Sequence, residues 1–274
     1  MKKLHALFIC LIASSLVSCS TTPERPQAVM SSAVPRIAHP VASMPESMSA
    51  DPQLAQLERL APDADPGVLA LALEARSCAL KSGEVGDDAR LAVIDYSRPS
   101  SSKRLWVFDL ARNRLLFNEL VAHGQGSGDN YATRFSNLDN SHETSLGLYV
   151  TAETYIGNNG YSLRLDGKDR GFNDNARSRA IVMHGAWYVD PGMVASRGRI
   201  GRSHGCPALG QGIAHQVIDT LKGRQLLFSY ANDAAWLQNG QSFACDGRSA
   251  REIITAARAP RGMGGSPMVA SAVR

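Results

Sequence analysis

Apolar positions follow two different periods along the chain. Between residues 51 and 82 leucines recur at intervals of three and four, which predicts helices, and Asp65-Pro66 is typical of the start of a second helix. From Leu91 onward the apolar residues alternate with polar ones or form short runs, which predicts strands. A short turn at residues 111–113 indicates a hairpin. The predicted strands are 91–96, 104–110, 115–122, 147–152, 161–165, 179–184 and 224–230.

One longer helical pattern interrupts these strands. In residues 209–222 the apolar side chains share one face, and Gly223 provides the stop; residues 233–239 predict a further short helix. The pattern predicts a mainly β fold, a small sandwich or open barrel of mixed strands with one core helix and an N-terminal helical extension. We expect a helical extension at 51–90, a β-rich domain at 91–246 and a disordered basic tail at 247–274.

Composition narrows the function classes. The chain has 274 residues, 44% of them hydrophobic, which suits one main domain with tails. Its formal net charge of +4 comes from scattered Lys and Arg without interleaved aromatic residues, which argues against nucleic-acid binding. The glycine-rich loop at residues 123–128 lacks the GxxxxGK[ST] pattern of a phosphate-binding loop, and we expect no nucleotide or other cofactor.

The N-terminus has the features of a targeting segment. Two lysines precede a short apolar stretch that ends in Leu16-Val17-Ser18-Cys19, which resembles a bacterial lipoprotein signal; an ordinary secretory signal is the alternative. The resemblance implies a signal peptide at 1–18, lipidation of Cys19 and a disordered tether at 19–50. We therefore expect an outer-membrane lipoprotein of the periplasm, and Ser20 after the cysteine is typical of that destination.

The candidate chemistry lies between residues 181 and 209. A predicted strand delivers His184 and Gly185, and the segment Ser203-His204-Gly205-Cys206-Pro207 leads into the predicted core helix. A thiol at the start of a helix faces the positive end of the helix dipole, which favours the nucleophilic thiolate. We expect His184 to accept the thiol proton, and the backbone N–H groups of Gly205 and Cys206 to stabilise an oxyanion.

The spacing of these residues carries a family resemblance. His184-Gly185, followed after 17 residues by SHGC, resembles the signature of the L,D-transpeptidase catalytic domain, and the similarity extends over roughly residues 90–245. It implies that Cys206 is the nucleophile, that His184 is the general base and that the region of Gly185 supplies a carbonyl to orient the imidazole. Residues that would bind substrate or the oxyanion are Gly205, His204, Ser203, Arg202, Arg179 and His123. Ala208 stands where many members have Arg or Asn.

The resemblance implies a peptidoglycan-modifying cysteine acyltransferase that acts on stem peptides. The acceptor stays open, because a stem amine would give a cross-link, water would give an L,D-carboxypeptidase and a protein lysine would give anchoring. A papain-like endopeptidase is the less favoured enzyme, since its cysteine precedes its histidine. A non-catalytic wall-binding lipoprotein is the alternative from another class.

Two cysteines lie outside the targeting segment and the candidate site. Cys78 and Cys245 flank the β-rich domain and are either joined by a disulfide or are two buried free thiols. A zinc site formed by His184, His204 and Cys206 lacks the usual ligand spacing, so we expect no metal. We expect the chain to be a monomer attached to the membrane through its lipid anchor.

Overall fold

The computed structural model describes residues 51–86 and 90–260, and the predicted signal peptide and tether lie outside the described residues. The helices are α1 (Pro52–Leu60), α2 (Pro66–Lys81), α3 (Pro191–Arg197), α4 (Gln211–Leu221), α5 (Ala234–Asn239) and α6 (Ala250–Arg258). The strands are β1 (Leu91–Asp95), β2 (Leu105–Asp109), β3 (Arg114–Glu119), β4 (Val121–Ala122), β5 (Gly147–Gly157), β6 (Gly160–Gly167), β7 (Val182–Ala186), β8 (Ala208–Gly210) and β9 (Leu226–Tyr230).

All these strands join one sheet in the order β3-β2-β1-β9-β5-β6-β7-β8-β4. The β1–β9 and β7–β8 pairs are parallel and the other pairs are antiparallel. The predicted strand 115–122 is divided into β3 and β4, which lie at opposite edges of the sheet although only Leu120 separates them. The chain itself therefore brings the two edges together, and the sheet nearly closes into a barrel. This confirms the predicted mainly β fold of mixed strands.

The core sits where the central strands meet the helical extension. Strands β1, β2 and β9 are buried at every position, and α2 packs against β1, β9 and α6. Asp65 caps α2 by accepting hydrogen bonds from the N–H groups of Gly67 and Val68, with Pro66 in the first turn. The predicted start of this helix at Asp65-Pro66 is confirmed. Across residues 51–86 and 90–260, no helix combines the length and hydropathy needed to span a membrane.

The predicted disordered tail at 247–274 is wrong for residues 250–258, which form helix α6. Ser249 and Glu252 form a capping box at its start, and Ile253 and Ile254 are buried against the core. The apolar face is only a few residues long, so its period was too short to stand out in the sequence.

A disulfide joins the N-terminal extension to the C-terminal helix. Cys78 near the end of α2 is bonded to Cys245, just before α6, with their Cα atoms 5.6 Å apart. Arg258 also forms an ion pair with Asp65, with Nη2 and Oδ2 3.0 Å apart. The two ends of the described chain are thus held to each other as well as to the sheet.

Candidate active site

Strands β7 and β8 bring together the two residues of the expected catalytic pair. The strands are parallel, and His184 pairs with Ala208, which follows Cys206 by two residues. Cys206 is the free cysteine of the described residues and is 8% exposed. Within the described ranges its thiol hydrogen bonds are to the β7 backbone and the turn before it, not to the imidazole of His184.

Cys206 does not start a helix, which corrects the sequence prediction. Ala208–Gly210 form β8, and α4 begins at Gln211. The field of a helix dipole falls off within the first turn, so it does not act on this thiol. Burial instead raises the pKa of the Cys206 thiol, and the resting residue is therefore the protonated thiol. Pro207, which suggests the first turn of a helix, precedes the short strand β8 instead.

The groups that act on the sulfur come from the end of the turn before β7 and from the first residue of β7. The N–H of Val182 donates to Sγ at 3.4 Å, and the thiol faces the carbonyl of Ala180 at 3.7 Å. Val182 and the guanidinium of Arg179 both lower the pKa of Cys206, against the larger effect of burial. Ala180 adopts a left-handed conformation, φ 53°, which carries strain for a residue with a side chain. The N–H of Val182 and the charge of Arg179 favour a sulfur anion, whereas burial and the carbonyl of Ala180 favour the protonated thiol.

His184 is held as a neutral base. Its Nδ1 lies 3.0 Å from the carbonyl oxygen of Gly185, and because a carbonyl only accepts, the neutral ring carries its proton on Nδ1. Nε2 then keeps its lone pair. Burial lowers the pKa of His184, while the Gly185 carbonyl acts in the opposite direction. The carbonyl lies where the family resemblance places the group that orients the imidazole.

The Ser203–Cys206 segment is closed by its own hydrogen bonds. Ser203 Oγ donates to the carbonyl of Cys206 at 2.7 Å and accepts from the N–H of Gly205 at 3.1 Å. That N–H is therefore directed at Ser203 and not at an oxyanion, contrary to the sequence expectation. Gly205 has φ 120°, and a Cβ there would lie 2.8 Å from the carbonyl of Glu143. The glycine is required by conformation and space; the N–H of Cys206 remains a predicted oxyanion donor.

The two arginines that were predicted to bind substrate, Arg179 and Arg202, donate hydrogen bonds to other parts of the protein. Arg179 donates to the carbonyls of Ser136 and Glu143 and to the hydroxyls of Ser141 and Ser145. These bonds hold the segment 136–145 beside Cys206. The guanidinium of Arg179 is therefore not placed for a bidentate pair with a substrate carboxylate.

Arg202 is engaged in a similar way. It donates to the carbonyl of Gly128 at 2.7 Å, and its Nη1 lies 3.6 Å from a carboxylate oxygen of Asp129. Asp129 also pairs with Arg199, with Nε and Oδ1 2.6 Å apart. Arg202 therefore ties the glycine-rich loop to the segment that leads into Ser203.

The remaining histidines lie in three different settings. His204 is exposed and stacks on His142, with ring centroids 4.3 Å apart and nearly parallel planes. His215, on α4, stacks on Tyr161. His123 is completely buried, so its predicted place on the substrate-binding surface is not what the structure shows. The His142–His204 contact was not predictable from the sequence, because the conformation of two separate loops creates it.

Burial of His123 has a consequence for stability. Burial, and then the charge of Arg104, lower its pKa to about 4 from an ordinary 6.5. The unfolded chain takes up this proton first, so His123 contributes no penalty above pH 6.5 and destabilises progressively as the pH falls towards 4. The loss at pH 4 is about 3 kcal/mol. Urea unfolding at pH 7 and pH 4.5 should show it, and His123→Asn should reduce the difference; an equal pH dependence in both proteins would contradict this assignment.

In residues 51–86 and 90–260, one group of three side chains is close enough together to hold a metal ion. The group of three close enough to hold an ion is Glu74, Cys78 and Cys245, and two of these are bonded to each other. It lies on α2 and before α6, apart from the candidate pair on β7 and β8. The chemistry described above needs a thiol, an imidazole and backbone donors.

Comparison with known proteins gives a family match. The model of the L,D-transpeptidase catalytic domain matches residues 60–230. No curated protein matches. Among solved structures, the chain is similar to an L,D-transpeptidase from Mycobacterium smegmatis (16% identity, TM-score 0.32, covering 52% of this chain and 59% of that one). It is also similar to L,D-transpeptidase 1 of Mycobacterium tuberculosis (14%, 0.30, 52% and 62%). A third, from Stackebrandtia nassauensis, has 12% identity and a TM-score of 0.33, with 66% and 77% covered. The chain thus spans about six tenths of the length of the mycobacterial structures.

Proposed function

This chain belongs to the family of L,D-transpeptidase catalytic domains, and we propose that it is a peptidoglycan-modifying cysteine acyltransferase. The observation that carries the proposal is the pair on β7 and β8: His184, with its Nδ1 proton held by Gly185, and Cys206, whose sulfur accepts the N–H of Val182. Such a pair needs only one proton transfer to become a nucleophile.

The proposed reaction begins from a neutral thiol and a neutral imidazole. Nε2 of His184 takes the proton of Cys206, and the sulfur attacks the carbonyl at the L-centre of diaminopimelate in a tetrapeptide stem. The tetrahedral intermediate collapses as the C–N bond to D-Ala breaks, and the imidazolium returns its proton to the leaving amine. The product is a thioester on Cys206. Proton transfer of this kind typically contributes ~10²–10⁴-fold to the rate.

The second half-reaction transfers the acyl group to an acceptor. An amine of a neighbouring stem or water attacks the thioester carbonyl and gives a proton to His184. The C–S bond then breaks, and the imidazolium returns that proton to the sulfur of Cys206. Ala208 is completely buried and pairs with Ala122 of β4 in a small apolar cluster that includes Ile200, a setting that does not suit a long polar side chain. The acceptor must therefore be selected by other groups than a polar residue at position 208.

The direct test of the function is digestion of purified sacculi with the full-length protein, followed by mass spectrometry of the muropeptides. New bridges between diaminopimelate residues would identify transfer to a stem amine, and tripeptide stems would identify transfer to water. Unchanged muropeptides, together with a Cys206 inert towards a carbapenem, would favour a non-catalytic wall-binding protein. Cys206→Ser is the matched control.

We also propose, from the sequence, that the protein is an outer-membrane lipoprotein processed at Cys19. Labelling of expressing cells with radioactive palmitate should mark the protein, and Cys19→Ala should abolish the label. The label would be recovered in the outer-membrane fraction. A mature protein that begins elsewhere and carries no lipid would instead identify an ordinary secretory signal.

A further inference from the structure

A buried arginine lies behind the active site and takes no part in the reaction proposed above. Arg104, which immediately precedes β2, is fully buried, and its guanidinium lies over the ring of Tyr96 at 5.0 Å from the centroid. Nε and Nη2 donate to the carbonyl of Val121 at 3.2 and 2.9 Å, and Nη1 donates to the carbonyl of Arg98 at 2.7 Å. Burial lowers the pKa of Arg104 to about 10, which leaves it charged at neutral pH.

The guanidinium also fixes the state of a buried histidine. Nη2 lies 2.8 Å from Nδ1 of His123, and because a guanidinium only donates, Nδ1 must accept and the proton of the neutral ring must be on Nε2. That Nε2 is buried and makes no hydrogen bond among the described residues, although the backbone of Gly128 and Asp129 lies near enough to raise the pKa of the ring partly back. His123 is therefore held in one tautomer by one neighbour.

The hydrogen-bond partners of Arg104 within the described chain are all uncharged. Burying a charge without a carboxylate partner is costly, and an apolar residue of similar size would avoid that cost. An apolar residue would, however, lack the N–H donors that a guanidinium holds in a fixed planar arrangement. Here these donors reach the turn at Arg98, the edge strand β4 at Val121 and the side chain of His123.

The backbone of His123 continues this network to the nucleophile. Its carbonyl accepts from the N–H of Ser203 at 2.9 Å, and the N–H of Gln125 donates to the carbonyl of Ser203 at 2.8 Å. Ser203 Oγ in turn donates to the carbonyl of Cys206. Between these bonds Gly124 packs so closely that a Cβ would lie 2.3 Å from the carbonyl of His142 and 2.9 Å from Cα of Gly205.

We propose that Arg104 and His123 are positioning residues for the Ser203–Cys206 segment: Arg104 fixes His123, and the backbone of His123 and Gln125 fixes Ser203. The consequence for catalysis rests on the proposed function. A displacement of the reacting group by about 1 Å costs about 10²-fold in rate. Release of the His123 side chain should therefore slow acylation of Cys206 without weakening ligand binding.

The test compares two variants of the full-length protein. His123→Asn keeps an oxygen that accepts from Arg104, whereas His123→Phe removes the acceptor and leaves a buried guanidinium donor unpaired. With a carbapenem as probe, we expect the maximal rate of acylation to fall ~10–100-fold in His123→Phe, with a nearly unchanged half-saturation concentration, and to stay within about threefold of wild type in His123→Asn. Circular dichroism and the unfolding midpoint establish that each variant folds.

The outcomes separate this proposal from the proposed function. Equal acylation rates in His123→Phe and wild type, or equal losses in both variants, would overturn the positioning role. If wild-type Cys206 resists the carbapenem and the protein leaves muropeptides unchanged, the proposed function fails, and the readout becomes amide hydrogen exchange. Exchange at Ser203 and Cys206 that is faster in His123→Phe and unchanged in His123→Asn supports the network, and unchanged exchange in both overturns it. If His123→Phe does not fold, Arg104→Lys and Arg104→Met replace it in the test. Amide exchange at Ser203 and Cys206 in Arg104→Lys must then lie between that of wild type and that of Arg104→Met.

Discussion

Replacement of Cys206 by serine is expected to lower turnover of tetrapeptide stems by roughly 10⁴-fold or more, because the covalent intermediate requires a nucleophile that His184 can deprotonate. A hydroxyl is a much weaker acid than the thiol, even though burial raises the pKa of Cys206. The remaining groups, Arg179 and Val182, would stay in place without a sulfur anion to stabilise. Turnover is followed by mass spectrometry of released D-Ala and of the trimmed or linked stems.

The fold should survive this substitution. A serine hydroxyl can make the two hydrogen bonds of the thiol, to the carbonyl of Ala180 and from the N–H of Val182. The free energy of unfolding should therefore change by less than about 1 kcal/mol. A folded Cys206→Ser protein that releases D-Ala at the wild-type rate would show that the nucleophile lies elsewhere.

Removal of the Cys78–Cys245 disulfide should cost about 3–5 kcal/mol of stability, the largest effect that we expect from any pair outside the active site. The bond closes a loop with a sequence separation of 167 residues, and long loops lose the most entropy in the unfolded chain when they are cross-linked. Its loss also removes the covalent link between α2 and the segment before α6, so that packing and the Asp65–Arg258 ion pair must hold α6 to α2.

The double variant Cys78→Ser with Cys245→Ser is the appropriate test, because a reducing agent would also act on reagents used to label Cys206. Guanidinium unfolding should show a lower midpoint. Carbapenem acylation measured at low temperature should be nearly unchanged, since the disulfide joins α2 to the segment before α6 and contributes no group to the pair on β7 and β8. Cys78→Ser alone should behave like the double variant. An unfolding midpoint equal to that of wild type would show that the bond contributes little to the fold.

The elements with strong periods were predictable from the sequence. The long strands β5 and β6, the hairpin of β2 and β3 and helix α4 each have enough alternating or helical positions to identify them. Helix α6 and strand β8 were not predictable in this way, because α6 has only a short apolar face and β8 has three residues. Strand order was also beyond the sequence, since the placement of β3 and β4 at opposite edges follows from long-range pairing.

At the site, the residue types were predictable and the physics of the thiol was not. The motif around His184 and Cys206 identifies the catalytic pair. The predicted activation of the Cys206 thiol by a helix dipole is wrong, because no helix begins there. The groups that face the sulfur are the backbone carbonyl of Ala180 and the backbone N–H of Val182. Contacts of backbone groups cannot be predicted from residue types, because nearly all residues have the same backbone groups. The sequence predicts that Arg179 binds substrate, whereas its donors hold the loop at residues 136–145 beside the site.

The central claim is that His184 draws the proton from a buried, protonated Cys206. Its most direct test is the pH dependence of carbapenem acylation in wild type and in His184→Asn. Because burial lowers the pKa of His184, wild-type acylation should rise through that pKa, below 6.5, and then stay level across neutral pH. In His184→Asn, acylation should be slow at neutral pH and rise only above the ordinary thiol pKa of about 8.5, as the thiol ionises alone. Superimposable profiles for the two proteins would contradict the mechanism.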